Sequence, residues 1–299
     1  MESWARLPFA REEWELRQAA ALRYGAASAE NIAASPGTQA LIQILPRLVS
    51  RTQVAVVSPT YSEHGIAWKR EGHAVREVKT LPEASAGANA IVVVNPNNPT
   101  GRVFSVEELV RTAHDLEPRR GLLVVDEAFM DVIEPSQSVI PALPPATVVL
   151  RSFGKTYGLA GVRLGFAVAD RIMARHLRDL LGPWAISGPA AAIGRVALAD
   201  DAWLAQARQR LARDAERLDE VLAIAGCQPL GGMPLFRLAA YESAESLGNK
   251  LGDHGILVRR FAYEPSWLRF GIPEGEEAWR RLEQAFLRLN SSRQTAPKR

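Results

Sequence analysis

The chain has 299 residues, 47% hydrophobic and 23% charged, which excludes a disordered or fibrous protein. The net charge is +3, but acidic and basic residues are interleaved and no basic helix or zinc-finger spacing occurs, so we expect no nucleic-acid partner. The single cysteine, Cys227, excludes an internal disulfide, and no apolar stretch approaches the roughly 18 residues of a membrane span. We therefore expect a soluble cytoplasmic protein without a signal peptide, a membrane partner or a metal site.

Strand-like apolar runs alternate with helical patterns up to about residue 170, an alternation that predicts a parallel sheet covered by helices. One of the predicted helices begins with Ser105, and Glu108 follows three residues later, which is a capping box. In chain order we expect a helix over 12–24, a helix over 38–49, a strand over 54–57, a helix over 62–71, strands over 74–78 and 91–94, a helix over 105–116, and strands over 122–125, 148–150 and 164–169.

The pattern changes after about residue 170, where long Ala/Leu/Arg-rich helices precede short strands. We expect an α/β domain over residues 25–200 and a smaller α+β domain over 201–299, together with residues 1–24. The predicted elements of this region are helices over 171–181 and 202–225, strands over 234–238, 256–258 and 267–270, and a helix over 276–289.

Two loops with many Gly, Pro and Asn residues stand out, and open α/β sheets bind ligands at the carboxyl ends of their strands. The segment Ser35-Pro36-Gly37-Thr38-Gln39 opens a helix, and free backbone N–H groups at such a start favour an anion. The segment 95–101, Asn-Pro-Asn-Asn-Pro-Thr-Gly, follows an apolar strand. Its two Asn-Pro steps predict a stiff loop with amide side chains projecting from the sheet edge.

Two further segments carry ionisable groups. Asp126 directly follows the apolar strand 122–125, so its carboxylate is predicted to be partly buried and to need a cationic partner. Lys155 lies in the segment Arg-Ser-Phe-Gly-Lys, ahead of a glycine-rich stretch, and there are only five lysines in the chain. A lysine in apolar surroundings is a candidate Schiff-base nucleophile, and Ser152 with Arg163 would suit a phosphate.

Together these motifs resemble the fold-type I pyridoxal-phosphate (PLP) enzymes of the aspartate aminotransferase superfamily, over about residues 24–271. The resemblance implies a PLP-dependent transferase-like α/β large domain with a mostly parallel sheet and a smaller α+β domain. Within the superfamily the chain is most similar to the threonine-phosphate decarboxylases of cobalamin biosynthesis, and histidinol-phosphate aminotransferases are near relatives. The segments that favour the decarboxylases are 35–42, 59–64, 151–157, 182–188 and 267–271.

The resemblance implies a role for each motif residue. Lys155 would bind PLP covalently and move a proton, Asp126 would pair with the pyridine nitrogen, and Asn98 would donate to the phenolic oxygen, with a cis peptide bond at Asn98–Pro99. Phe129 departs from the family pattern, since many aminotransferases carry a tyrosine there. The other implied cofactor-binding residues are Gly37, Thr38, Gln39, Ser152 and Arg163 at the phosphate, and His64 stacked on the ring.

The implied substrate is a small phosphorylated amino acid. Arg269 would take its carboxylate, and either Arg259 or Arg260 its phosphate. The leading hypothesis is decarboxylation of L-threonine O-3-phosphate to (R)-1-aminopropan-2-yl phosphate by a homodimer. Transamination of a substrate such as histidinol phosphate is the alternative. A third hypothesis is a non-catalytic relative, against which the presence of Lys155 in its full motif argues.

Overall fold

The computed structural model describes residues 2–294, which form two compact units. The first unit contains residues up to 98 and 102–205, and the second contains residues 99–101 and those from 206 onward. The strands of the first unit are β1 (Ile32–Ser35), β2 (Gln53–Val57), β3 (Ala74–Val78), β4 (Ala90–Val94), β5 (Leu122–Asp126), β6 (Thr147–Ser152) and β7 (Gly165–Val168).

These seven strands form one sheet in the order β1-β7-β6-β5-β4-β2-β3. Strands β2 to β6 pair in parallel, whereas β7 is antiparallel to both β1 and β6. The mostly parallel sheet expected from the sequence is confirmed. Strands β4, β5 and β6 are buried along their whole length, as their uninterrupted apolar runs require.

Helices cover both faces of this sheet. The capping box predicted at Ser105 is present, with both of its hydrogen bonds to and from Glu108. Gly25 ends the second helix in the left-handed conformation, with φ 75°. The boundary between the two units falls inside helix α10 (Asp201–Ile224). The helices before it are α1 (Glu2–Ala5), α2 (Ala10–Tyr24), α3 (Thr38–Ile44), α4 (Glu63–Arg70), α5 (Leu81–Ser85), α6 (Val106–Leu116), α7 (Phe153–Thr156), α8 (Arg171–Leu181) and α9 (Gly188–Leu198).

The two faces of the sheet belong to separate apolar cores. Leu16 and Tyr24 of α2 pack with Val125 and Val149 on one face. On the other face, Trp68 of α4 and Leu41 of α3 pack with Val124, Val148 and Leu150. Because successive strand residues point to opposite faces, each of β5 and β6 contributes to both cores in alternation.

The second unit is a four-stranded antiparallel sheet in the order β10-β11-β9-β8, packed with helices. Leu218 of α10 and Trp279 of the last helix pack against Leu268 in its core. Its further elements are β8 (Gln228–Met233), β9 (Phe236–Ala240), α11 (Ala244–Asp253), β10 (Arg259–Arg260), β11 (Trp267–Gly271) and α12 (Gly275–Gln294).

The structure differs from the predicted division at the N-terminus. Helix α2, expected in the smaller domain, belongs to the first unit, because Leu16 and Ala20 are fully buried in that unit's core. Strand β1 was not predicted, since its sequence Ile-Ala-Ala-Ser has little β-propensity. Helix α9 was also not predicted, and the strand expected over 256–258 lies instead at β10.

Along the part of the chain that the structure describes, no helix is both long and apolar enough to cross a membrane.

Candidate active site

Asp126 ends β5, the strand between β4 and β6 in the sheet. Its side chain is buried, and it accepts a hydrogen bond at Oδ1 from the backbone N–H of Ala128 at 3.0 Å. His64 Nε2 lies 2.8 Å from Asp126 Oδ2, so an N–H at that nitrogen donates to the carboxylate. His64 is therefore the side chain that contacts the buried carboxylate of Asp126; a cationic partner for Asp126 stays a prediction, as does the stacking of His64 on the cofactor ring.

His64 lies on α4 and is fully buried, so it is not a surface histidine. Its other ring nitrogen, Nδ1, is buried and has no hydrogen-bond partner among residues 2–294. The ring of Tyr61 meets it edge-on, with ring centroids 6.3 Å apart. A donation from Nε2 to a carboxylate leaves a lone pair on Nδ1 as a buried acceptor.

The register of β1, β7 and β6 aligns three small residues at one level of the sheet. Gly165 of β7 is paired with Ser35 on one side and with Ser152 on the other. A Cβ at Gly165 would lie 2.6 Å from the backbone nitrogen of Thr38, so only glycine permits this approach. The start of α3 and the end of β6 are thereby brought together around Gly165.

The Arg163 side chain contacts Gly37 at the start of α3. Gly37 has φ 83°, and a Cβ there would lie 2.7 Å from Arg163 Nη2, so the guanidinium fills the space that a side chain would need. Arg163 itself is in the left-handed region, with φ 55°, and it is exposed. Thr38 begins α3, and the first N–H groups of a helix have no partner within the helix. The Arg163 guanidinium and the first N–H groups of α3 therefore form one donor set, and Ser152 is aligned with Gly165 next to it.

Gln39 contributes to this region differently. Its side chain donates from Nε2 to Glu63 Oε2 at 2.9 Å and accepts from the Tyr61 hydroxyl at 3.4 Å. The side chain therefore ties α3 to the start of α4, and only the backbone N–H of Gln39 belongs to the donor set.

Lys155 lies on the short helix α7, three residues after Ser152. Its Nζ is 5.5 Å from the centroid of the Phe129 ring, over the ring face. Phe129 follows Asp126 by three residues and is buried. Phe129 thus presents the face of its ring to Lys155.

The loop after β4 corrects one expectation. Asn95 and Asn97 do not project from the sheet edge but are buried and bonded within the loops. Asn95 Oδ1 accepts from the N–H of Phe104 at 2.7 Å, and Asn97 Oδ1 accepts from the Thr60 hydroxyl at 2.6 Å. Asn98, the residue assigned to the cofactor, is half-buried.

The expected cis peptide bond at Asn98–Pro99 is also wrong. The cis bonds among residues 2–294 are Ser58–Pro59, Asn95–Pro96 and Glu134–Pro135. The Asn95 side chain bonds both the N–H and the carbonyl group of Phe104.

The three arginines predicted to bind substrate lie in the second unit, on β10 and β11. Arg259 is paired directly with Arg269, and Arg260 with the buried Leu268. The Arg269 guanidinium lies 4.9 Å from the Phe236 ring centroid. Burial, together with the positive charge of Arg259, lowers the pKa of Arg269 below its usual value. Two like charges directly opposite each other destabilise a sheet, so an anion between them would relieve the repulsion.

Arg260 has a different environment. Its Nη1 donates to Asn249 Oδ1 at 2.9 Å, and its stem packs along Gly248 of α11. Since cross-strand partners share a face of the sheet, Arg260 points to the face of Leu268, whereas Arg259 points to the face of Arg269.

A buried ionic group next to these motifs was not predicted. Arg151 Nη1 donates to Glu127 Oε2 at 2.9 Å, and its Nη2 donates to Asp131. The guanidinium carbon lies 4.5 Å from the centroid of the Tyr24 ring. We call Tyr24, Glu127, Asp131 and Arg151 the Arg151 cluster. Strand alternation gave a signal for the Arg151 cluster. Glu127 and Arg151 each follow by two positions an apolar residue, Val125 or Val149, that faces the core containing Tyr24.

Burial determines the electrostatics of the Arg151 cluster. The pKa of Glu127 is raised by desolvation, although Arg151 and the donors Ser138 and Val139 oppose the shift. The carboxylates of Asp131 and Glu127 raise the pKa of Arg151 against the effect of burial. Burial and Asp131 raise the pKa of the Tyr24 hydroxyl. Among the described residues, no group of three or more His, Cys, Asp and Glu side chains could hold a metal ion.

Comparison with protein-family models gives a match to aminotransferase class I and II over residues 4–281. The chain belongs to this family. Its solved members include the histidinol-phosphate aminotransferase of Sinorhizobium meliloti in complex with pyridoxal-5'-phosphate, which is 25% identical, has a TM-score of 0.84, and is matched over 97% of this chain and 84% of that chain. The aminotransferase-like α/β fold is therefore confirmed.

Curated members of the family differ in their similarity to this chain. The threonine-phosphate decarboxylase of Pseudomonas aeruginosa is 42% identical over 96% of this chain and 85% of its own length. That of a Sinorhizobium species is 40% identical over 96% of this chain and 86% of its own length. The histidinol-phosphate aminotransferase of Lactiplantibacillus plantarum is 30% identical over 86% of this chain and 76% of its own length.

Proposed function

We propose that this family member is a PLP-dependent decarboxylase of L-threonine O-3-phosphate, which yields (R)-1-aminopropan-2-yl phosphate for cobalamin biosynthesis. The observation that carries the proposal is the identity of 42% and 40% to two threonine-phosphate decarboxylases over 96% of the chain, against 30% for a histidinol-phosphate aminotransferase. We further propose a cytoplasmic homodimer.

The residues of the first unit fit PLP. A phosphate monoester needs several N–H and O–H donors and a cation, and the set around Gly37 offers Arg163, Ser152 and the start of α3. A pyridine nitrogen that carries a proton needs a buried carboxylate, and Asp126 is one. Lys155 follows in the next helix, with its Nζ over Phe129.

The proposed roles follow from this arrangement. Asp126 holds the proton on the pyridine nitrogen, and His64 keeps the carboxylate oriented by its contact at Oδ2. Asn98 donates to the phenolic oxygen. Bound PLP supplies an electron-withdrawing ring that accepts the electron pair of the bond broken at the substrate's Cα. Lys155 would hold the cofactor at its Nζ and, once released from it, would be the acid that gives Cα a proton in place of the lost carboxylate.

The second unit supports a substrate with two anionic groups. Arg259 and Arg269 share one face of the sheet as a directly opposed pair. We assign the carboxylate to Arg269 and the phosphate to Arg259, since Arg260 is turned to the other face and bonded to Asn249. Threonine phosphate carries both anions, whereas histidinol phosphate has a phosphate and no carboxylate.

The reaction type is tested by product analysis. The purified chain with PLP is expected to release CO₂ and aminopropanol phosphate from L-threonine O-3-phosphate without an oxo-acid acceptor. Glutamate formation from histidinol phosphate and 2-oxoglutarate, with no CO₂ from threonine phosphate, would assign the chain to the aminotransferases. Light scattering of the same preparation tests the homodimer, which a monomer at working concentration would contradict.

Lys155→Ala is expected to abolish both turnover and the visible absorption of lysine-bound cofactor. Lys79→Ala is the matched control and should change neither. Asp126→Ala should lower turnover more than cofactor affinity, because the phosphate donors remain. Unchanged turnover in Asp126→Ala would exclude the pairing of Asp126 with the pyridine nitrogen.

A further inference from the structure

The Arg151 cluster lies on the face of the sheet opposite to Asp126. Asp126 contacts His64 of α4 on one face. On the other face, the next residue, Glu127, bonds Arg151 of β6, whose guanidinium lies over the Tyr24 ring of α2. The N–H of Glu127 donates to the carbonyl of Leu150 at 2.9 Å, which extends the pairing of β5 with β6 by one step. The ion pair therefore lies directly beneath the strand end that carries Asp126.

Arg151 holds both ends of a five-residue segment. One amino group of its guanidinium bonds Glu127 and the other bonds Asp131, and Glu127 accepts further bonds from Ser138 Oγ at 2.6 Å and from the N–H of Val139 at 2.9 Å. All three charged side chains are 0–4% exposed. A guanidinium is suited to this task because its donors lie in a rigid planar fork.

Phe129 lies in the middle of the segment that Arg151 holds. Its ring is the one over which Lys155 Nζ lies, at 5.5 Å from the centroid. Asp126 immediately precedes the segment and accepts from the N–H of Ala128 within it. Arg151 is thus connected through one short segment to Asp126 and to the Phe129 ring that lies next to Lys155.

We propose that Arg151 is a positioning residue: by holding Glu127 and Asp131 it fixes the segment 127–131, and so sets Asp126 and the Phe129 ring relative to Lys155. The proposal rests on the proposed function, because it concerns the same cofactor. It assigns Arg151 no contact with cofactor or substrate.

The test uses the PLP-loaded full chain and two variants, Arg151→Lys and Asp131→Ala. Each variant releases one end of the segment 127–131. The single ammonium group in Arg151→Lys cannot bond both carboxylates, and Asp131→Ala removes one of the two acceptors. The pH midpoint of the visible band of lysine-bound cofactor should fall by about half a unit, since a displaced ring no longer favours a cation at Lys155. The kcat should fall by about tenfold or more, with the KM for threonine phosphate unchanged.

Two further variants separate positioning from a general loss of stability. Asp131→Asn keeps an acceptor oxygen for Arg151 and should restore the wild-type midpoint. Phe129→Leu removes the ring without touching the ion pairs, so it should reproduce the shifted midpoint, and adding Asp131→Ala to it should shift the midpoint no further.

Arg217→Lys is the matched control, because Arg217 also lies between two carboxylates and over an aromatic ring, in the second unit. It should leave the midpoint and kcat unchanged. Variants of Arg151 or Asp131 that lose thermal stability but keep the wild-type midpoint and kcat would overturn the proposal. A wild-type chain that shows no visible band with PLP would instead overturn the proposed function.

Discussion

Two clusters of this molecule each contain an arginine, two carboxylates and an aromatic ring, but one cluster is buried and the other is at the surface. Arg151 lies between Glu127 and Asp131 over the Tyr24 ring. Arg217 lies between Glu276 and Glu283, with its guanidinium carbon 4.3 Å from the Trp279 ring centroid. We call the second group the Arg217 cluster.

The difference between them is burial, and it gives one carboxyl group of each cluster, Glu127 and Glu276, pKa shifts of opposite direction. In the Arg217 cluster, the side chain of Glu276 is 71% exposed, and the hydrogen bond from Arg217 lowers its pKa. In the Arg151 cluster, Glu127 is fully buried, and desolvation raises its pKa although it too is paired with an arginine. Pairing therefore decides the shift only where water still reaches the carboxylate.

The same contrast predicts where a lost arginine matters. A buried carboxylate without its partner is an uncompensated charge, whereas an exposed one is rehydrated. The free energy of unfolding should then depend strongly on each charged residue of the Arg151 cluster and only weakly on each charged residue of the Arg217 cluster.

The largest expected effect is that of Arg151→Met. It leaves two carboxylates in an apolar site and should lower the free energy of unfolding by about 3–5 kcal/mol, measured by urea denaturation. Arg217→Met is the matched control and should change the urea midpoint little. Equal losses of unfolding free energy in the two variants would contradict the predicted difference between the buried and the surface cluster.

A smaller effect, of opposite sign, is expected when the remaining charges are also removed. The triple variant Arg151→Met, Glu127→Gln, Asp131→Asn has no buried charge in the cluster. It should be more stable than Arg151→Met by about 1–2 kcal/mol. A triple variant that is less stable than the single one would show that the uncompensated charges are not the source of the loss.

The pH dependence of stability should differ in sign. Glu127 has a raised pKa in the folded state, so its contribution is greatest below its unfolded pKa and is lost as the pH rises. Glu276 has a lowered pKa, so its contribution is present above the unfolded pKa and is lost as the pH falls.

Relative to wild type, the stability deficit of Glu127→Gln should therefore shrink as the pH rises from the acid side through 4.5, the ordinary pKa of a glutamate side chain. The deficit of Glu276→Gln should grow over the same range. Urea midpoints at several pH values measure both trends. Parallel trends would contradict the opposite shifts of the two carboxyl groups.

The smallest expected effect concerns salt. Added NaCl should reduce the difference between wild type and Arg217→Met, because exposed pairs are screened. The difference between wild type and Arg151→Met should stay nearly constant over the same range. A salt-sensitive Arg151 variant would mean that water enters the buried cluster.

Much of the candidate site follows from local sequence. A carboxylate directly after an apolar strand, as at Asp126, must be buried, and a glycine before a helix, as at Gly37, permits close approach. The capping box at Ser105 is likewise a property of neighbouring residues. Such features are decided within a few positions of the chain, and the structure contains all three.

Features that depend on distant partners were not predictable in the same way. The contact of His64 with Asp126 joins residues 62 positions apart, and Arg151 meets Tyr24 only because α2 packs on the first unit's sheet. Strand β1 was not predicted because three of its four residues are small, and the strand is held by its pairing with β7 rather than by β-propensity.

The hairpin of β10 and β11 places its two adjacent arginines on opposite faces of the sheet, and its strands are joined by only six residues, 261–266. Because the side-chain period of a strand is two, a shift of the pairing by one position would exchange them. A one-residue insertion in that connection would bring Arg260 to the face of Arg269 and turn Arg259 towards α11. The length of this turn therefore decides which of the two arginines lies opposite Arg269, without the replacement of any arginine.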